Sequence, residues 1–351
     1  MTMNKIPQAG VILVSIILAC AGLMAASSVF APLVLALFII AIVWPMQKRI
    51  ENVAPKGIAI LTCMAIILLA FSIFGWLIIW AVSRIIRAMI ADGERFQALF
   101  EQINGWVAAH GVDISTLWSD HFNVGWMLRA GQTFGSRLNN IMSFSVIALV
   151  YVLLGLLEVN DFRVKIENMK TRTASMVLLN GARITSHKLR RYIFVRSQMS
   201  LITGILVFFL TYTIDLPFAK EWGAIAFVLN FIPFLGPFIA TLLPTLYSVV
   251  EFQSWQAMLA LFVGLNLIQS TVGSYIEPRV SGSALAISPF IVLLSIFFWT
   301  YMWGIFGAFI GVPITIAILS FCAQHPSTEW AALLLSGNAR SAEDSAGGAQ
   351  S

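Results

Sequence analysis

The sequence predicts an all-α integral membrane protein of about eight transmembrane helices, with broken or re-entrant segments near 230–237 and 277–282. Three observations predict it. Hydrophobic residues are 59% of the 351 and charged residues 11%, against roughly 25% in soluble domains, so too little polar surface exists to cover a water-soluble globule. The mean hydropathy is +0.88, and the apolar residues come in runs long enough for hydrocarbon. Lysine and arginine gather in the connections. The net charge of +5 is therefore what basic loops on one side of a bilayer would give, and nucleic acid is not an expected partner. A soluble enzyme and an extracellular disulfide scaffold are excluded on the same grounds.

The run Val11 to Val43 is 33 residues, about 50 Å of helix, too long for one pass through roughly 30 Å of hydrocarbon. It splits near Ser27 and Pro32 into two spans. Lys5 and the run to Cys20 resemble a signal peptide, but apolar residues continue through Phe30 and Leu37, where a hydrophilic mature start would be needed. Ile58 to Val82 is the third span, Ile141 to Leu157 the fourth and Ser197 to Ile214 the fifth. The blocks Trp222 to Val250, Trp255 to Tyr275 and Ile287 to Cys322 follow. The first and last of these exceed one comfortable pass, leaving a single broken span or a hairpin open for each. The expected domain is one polytopic transmembrane unit over 1–335. The tail 336–351 lacks apolar periodicity and is expected to be disordered and cytoplasmic.

Orientation follows from charge. The connection 158–196 holds Arg163, Lys165, Lys170, Arg172, Arg183, Lys188, Arg190, Arg191 and Arg196 against Glu158, Asp161 and Glu167, so it is expected inside. Lys5, Lys48, Arg49 and Lys56 agree, placing the amino terminus in the cytoplasm. Residues 83–140 then lie outside. There Ile86, Met89, Ile90, Phe96, Leu99, Phe100, Ile103, Trp106 and Val107, and later Val124, Met127, Leu128, Phe134 and Leu138, recur at three-to-four spacing and predict two amphipathic helices.

Residues that carry function should break the pattern of a lipid-facing helix. In Asn230-Phe231-Ile232-Pro233-Phe234-Leu235-Gly236-Pro237, two prolines and a glycine remove backbone donors and admit non-helical torsions inside an apolar block. Freed backbone groups at membrane depth are tolerated only in protein or beside a wet cavity, so Asn230, Pro233, Gly236 and Pro237 mark a candidate solute site. A second break, Tyr275-Ile276-Glu277-Pro278-Arg279, sets Glu277 two residues from Arg279 as a coupling or bracing ion pair. The span before it carries Asn266, Gln269 and Thr271, a polar side that reads as a pathway or as interhelical hydrogen bonding. In the third, Gly304, Gly307 and Gly311 fall three and four apart ahead of Pro313, and read as a close-packing helix face.

Cys20, Cys63 and Cys322 lie in apolar stretches, and His110, His121, His187 and His325 form no metal-ligand spacing. Walker, Gly-x-Ser-x-Gly and redox motifs are absent from the sequence, so no metal, no cofactor and no enzymatic activity are expected.

The ordered motifs resemble the autoinducer-2 exporter family over nearly the whole chain. They are Leu156-Leu157-Glu158, Tyr192 with Thr203-Gly204, Trp222-Gly223 leading to Asn230-Phe231-Ile232-Pro233 and Gly236, Glu277-Pro278-Arg279 with Gly282, and Gly307 with Gly311-Val312-Pro313-Ile314-Thr315. The resemblance implies a permease of the bacterial inner membrane exporting a small, hydroxyl-rich quorum-signalling solute, driven by a proton or sodium gradient. It also implies a homo-oligomer, a pentamer being one form, and sodium/proton antiporters among its relatives.

Overall fold

The computed structural model describes residues 5–93, 95, 105, 124–281, 287–325 and 327–335. Every element among them is a helix: α1 Lys5–Ala25, α2 Ser27–Glu51, α3 Lys56–Ala91, α4 Val124–Glu167, α5 Arg172–Thr213, α6 Ala219–Leu229, α7 Leu235–Phe252 and α8 Trp255–Ser270. A π-turn at Thr271–Ile276, α9 Glu277–Ser281, α10 Pro289–Cys322 and α11 Glu329–Leu335 follow. Seven of the described helical stretches are long and apolar enough to cross a membrane, and Val14–Ala25 within α1 is a shorter apolar helix. The chain is thus a multi-pass all-α membrane protein.

The first apolar run divides at Ala26, whose backbone (φ −98°, ψ 29°) leaves the helical region just ahead of Ser27; Pro32 is carried inside α2. In the region 83–140, α3 runs on to Ala91 with Ile86, Met89 and Ile90, and Val124 to Leu138 form the start of α4. The remainder of the first amphipathic pattern, Phe96, Leu99, Phe100, Ile103, Trp106 and Val107, lies outside the described residues, as does the tail 336–351.

Both over-long blocks are helical hairpins. In the first, Trp222 on α6 stands 5.7 Å from Tyr247 on α7 between ring centroids, while at the other end Gly236 lies against Leu229. The two helices are therefore antiparallel about the turn Asn230 to Phe234. Helix α6 has 11 residues, about 16 Å, half of a hydrocarbon crossing. In the second, α10 leaves helical torsions at Trp303 (φ −133°, ψ 16°) and Gly304 (φ 63°, ψ −141°). The Ser295 hydroxyl donates to the Gly311 carbonyl at 2.8 Å and lies 2.6 Å from the Thr315 hydroxyl. On an unbroken helix these residues would be about 24 and 30 Å from Ser295. This corrects the reading of Gly304, Gly307 and Gly311 as one packing face. Gly304 is the turn, its left-handed φ the reason glycine stands there, whereas Gly307 and Gly311 bring one arm against Trp299 on the other.

The chain divides into two compact units, each assembled from separate stretches of sequence. The first takes the described residues of Met1–Met64, Phe144–Tyr192 and Ser283–Ser351. Inside it the Trp303 indole donates to the Leu23 carbonyl at 3.2 Å, and Lys56 reaches the Leu157 carbonyl at 2.9 Å at the end of the fourth span. Gly155 makes room for Ile40 and Gly181 for Phe321. The second unit takes the described residues of Ala65–Ser143 and Ile193–Gly282. Its core is built on Ala81, Val207, Trp222, Ala226, Tyr247, Leu261 and Leu265.

Candidate functional site

The second unit holds the turn at Asn230 and the π-turn Thr271–Ile276 through which α8 continues into α9 with Glu277. Its part of α5 is the axis. Gly204 on α5 and Gly223 on α6 meet reciprocally: a Cβ on either would lie 2.8 Å from the other's carbonyl oxygen and within 2.9 Å of the Cβ of Phe227 or Phe208. Only glycine allows this approach. The pairing of Gly204 with Phe227 and of Gly223 with Phe208 makes the crossing antiparallel, so the far end of α6 is carried along α5 toward Ser200. There the Asn230 carboxamide donates to the Ser200 hydroxyl at 3.4 Å, with Asn230 only 4% exposed and Ser200 fully buried.

The turn itself is tight. The Leu235 amide donates to the Pro233 carbonyl at 2.6 Å across Phe234, whose φ of 60° and ψ of −56° are those of a γ-turn rarely adopted by a residue with a side chain. Pro233 and Gly236 are buried, Pro237 is half-buried and Phe234 is exposed. A Cβ at Gly236 would sit 1.8 Å from the Leu229 carbonyl oxygen, so this glycine is required for hairpin closure.

One helical turn beyond Ser200 on α5 is a buried polar atom without a partner among the described residues. The Thr203 hydroxyl is fully buried and has no hydrogen-bond partner among the described residues. Threonines in helices ordinarily turn back to a carbonyl one turn earlier, as Thr211 does to Val207 at 2.8 Å. A buried hydroxyl left unmade costs about 1 to 3 kcal/mol, which a bound solute would recover.

The structure re-pairs Glu277. Its carboxylate meets the Arg196 guanidinium on α5 at 3.2 Å, the side chains being 25% and 11% exposed, while the Arg279 guanidinium lies over the Tyr275 ring at 3.9 Å. Glu277 and Arg279 therefore do not form the expected pair, because residues two apart on a helix point to nearly opposite sides. Pro278 has no amide to give the Ser274 carbonyl and its ring crowds that carbonyl; the wider π-turn Thr271–Ile276 stands just ahead of it.

The expected polar stripe on α8 is also corrected. At 100° per residue, Asn266 and Thr271 fall on opposite flanks of the buried row Leu261, Leu265 and Val272, and both are exposed. The Asn266 carboxamide is bonded to its own helix at Phe262, 2.8 Å away. Gln269 is half-buried, with an amide nitrogen that has no partner among the described residues. No hydrogen bond among the described residues joins Asn266, Gln269 or Thr271 to the Asn230 turn.

At the opposite end of α6, Glu221 is 3% exposed and meets the half-exposed Arg84 of α3 at 2.9 Å; Arg95 lies 3.8 Å from Glu251 at the end of α7. Among the described residues no group of three His, Cys, Asp or Glu side chains is arranged to hold a metal ion. Pro313 is buried in the second arm of α10, in the other unit.

Comparison with known proteins places these features. The profile described as AI-2E family transporter matches residues 13–326. The chain is similar to the AI-2 transport protein TqsA of Escherichia coli strain K12, 28% identical over 325 residues, covering 92% of this chain and 93% of that one. It is also similar to a putative transport protein of Haemophilus influenzae, 26% identical over 337 residues and covering 92% and 94% of the two chains. A third relative is the putative transport protein YrrI of Bacillus subtilis, 24% identical with 85% and 86% covered.

Proposed function

We propose that this chain, which belongs to the AI-2E family of transporters, exports a small hydroxyl-rich solute of the autoinducer-2 type, driven by a proton or sodium gradient. The observation that carries the reading is the turn Asn230 to Phe234 at a break in the helix, with the buried Asn230–Ser200 contact there and, one helical turn further along α5, the Thr203 hydroxyl without a partner among the described residues. A solute with several hydroxyls needs such partners, each one left unpaired costing about 1 to 3 kcal/mol. The name of the Escherichia coli relative, an AI-2 transport protein, supports the solute class.

In this reading the amino terminus and the basic connection 158–196 face the cytoplasm of a bacterial inner membrane. Helix α5 then runs outward, α6 re-enters from outside, and the Arg196–Glu277 pair marks the inner end of the unit. Ser200 is four residues beyond Arg196, about 6 Å of helix, so the turn sits within the hydrocarbon, nearer the cytoplasmic side. A hairpin with one arm about half a crossing long, as α6 is, suits a transporter whose site is reached from one side at a time. The functional assembly is a homo-oligomer, a pentamer being the form the family resemblance implies.

Sodium/proton antiport is the second reading. The three-quarters-buried Glu277 carboxylate, paired with Arg196 at the inner end of the unit, is the acidic group that favours it. Purified protein in proteoliposomes separates the two. Accumulation of a labelled autoinducer-2-type solute under an imposed proton or sodium gradient supports export. Sodium-dependent proton flux with no solute movement supports antiport and overturns the export reading.

A further inference from the structure

The transport reading makes no use of the first unit's part of α5, ahead of Tyr192. That stretch has two faces. Gly181, Thr185 and Leu189 are buried, with Gly181 against Phe321 and Ser186 donating to the Ala41 carbonyl. On the side away from them, Asn180, Arg183, Ile184, His187 and Arg190 form a row at three- and four-residue spacing. These five, with Lys188, line an open cavity of about 550 Å³.

The lining contains no carboxylate. Among the described residues none of Arg183, His187, Lys188 and Arg190 has an acid within ion-pair distance. Arg190 spends its Nε on the Ser186 carbonyl at 3.2 Å, a bond that fixes the stem and leaves the two terminal nitrogens of the fork for a ligand. A cavity with this lining selects an anion, and two arginine forks select oxygens of planar or tetrahedral geometry such as phosphate. Its place selects the kind of phosphate. On the same stretch Ser186 donates to the Ala41 carbonyl, two residues before the end of the apolar run at Val43, and Gly181 lies against Phe321, one residue before the end of the last apolar block at Cys322. The row from Asn180 to Arg190 therefore stands where the apolar runs end, at the level of a headgroup layer roughly 6 Å thick. Ile184 supplies an apolar wall within the row, and among the described lining residues no Phe, Tyr or Trp ring offers a nucleotide base a broad stacking face.

We propose that this cavity is a binding site for the phosphate headgroup of an anionic phospholipid in the leaflet at the basic end of the helices. It differs from the diffuse attraction of any basic loop to an acidic membrane, because the cations line one open cavity and are not spent on acids among the described residues.

The test uses the full chain purified in a neutral detergent and titrated with phosphatidylglycerol or phosphatidylcholine, bound lipid being counted by native mass spectrometry. Saturable binding of phosphatidylglycerol is expected, with phosphatidylcholine binding markedly less. Arg183→Gln with Arg190→Gln should weaken phosphatidylglycerol at least roughly tenfold. Lys170→Gln with Arg172→Gln, which removes the same charge from the same connection but not from the cavity, should not. Arg183→Gln alone, at an exposed position, reports the same direction if the double variant fails to fold. Unchanged phosphatidylglycerol binding in the cavity variants overturns the proposal, and so does an equal loss in the Lys170 and Arg172 variant. Displacement of the lipid by inorganic phosphate at matching concentration overturns the lipid assignment in favour of a soluble anion.

Discussion

The α6–α7 hairpin and the hairpin formed by the two arms of α10 both close on a glycine whose missing Cβ lets one arm lie against a backbone carbonyl. The pairs are Gly236 against Leu229 and Gly307 against Trp299. Their polar groups differ. In α10 the hydroxyls are spent within the hairpin: Ser295 on Gly311 and Thr315, Thr300 on Ile296, Ser320 on Ile316. In the other unit Asn230 makes one long bond, to Ser200 on a different helix, and the Thr203 hydroxyl, one helical turn further on, makes none among the described residues. One break is closed chemically as well as sterically. The other keeps polar capacity in reserve, and such a reserve inside a membrane protein is where a polar solute would be met.

The largest effect should come from filling either closing glycine. A methyl group at Gly307 would stand 1.7 Å from the Trp299 oxygen and one at Gly236 1.8 Å from the Leu229 oxygen. Gly307→Ala and Gly236→Ala should each cost about 3 kcal/mol, read as loss of monodisperse protein after solubilisation. A well-folded Gly236→Ala would show that the two turns are not sterically equivalent.

Next is the ion pair. Arg196→Ala leaves the Glu277 carboxylate partly buried without its partner and should cost about 2 kcal/mol, below the fully buried range because Glu277 is 25% exposed. Glu277→Gln should cost less than about 1 kcal/mol, since the amide keeps the shape and can still accept a hydrogen bond. Thermal unfolding midpoints of the two variants check the order. Arg279→Ala, which removes only a stacked cation from an exposed ring, should be the mildest of the three.

Smaller again is Ser295→Ala. Losing its hydroxyl contacts to Gly311 and Thr315 should lower stability by about 1 to 2 kcal/mol. Solute flux per folded molecule should stay unchanged. A strong loss of flux at unchanged yield would put function in α10 as well and erase the contrast between the hairpins.

The sequence makes some of this legible and not the rest, for physical reasons. Membrane spanning shows in the apolar runs, because hydrocarbon demands them whatever the tertiary fold. The break at Asn230 shows because proline and glycine act locally on the backbone. The turn at Trp303–Gly304 does not show, since a lone glycine ahead of Gly307 and Gly311 looks the same whether it packs or bends. Its left-handed φ appears only in the folded chain. Glu277 reads naturally as the partner of Arg279, two residues away, but its partner is Arg196, 81 residues earlier, brought there by antiparallel packing that no local pattern encodes. Asn266 and Thr271 look like one stripe until helical phase puts them on opposite flanks. Thr203 is visible in sequence only beside Gly204, as part of a motif. Its unmade hydrogen bond is a property of three dimensions.

The most direct measurement is solute flux through Thr203→Val in proteoliposomes, normalised to folded protein. The valine keeps the shape and removes a hydroxyl that bonds to nothing among the described residues, so the unfolding midpoint should hold or rise slightly, by the equivalent of about 0.5 kcal/mol. If the Asn230 turn and its buried hydroxyl meet the solute, flux should fall roughly tenfold, the loss of one hydrogen bond of about 1.4 kcal/mol. Flux equal to that of the unmodified chain, in a variant that folds equally well, would contradict the assignment of this turn as the solute site.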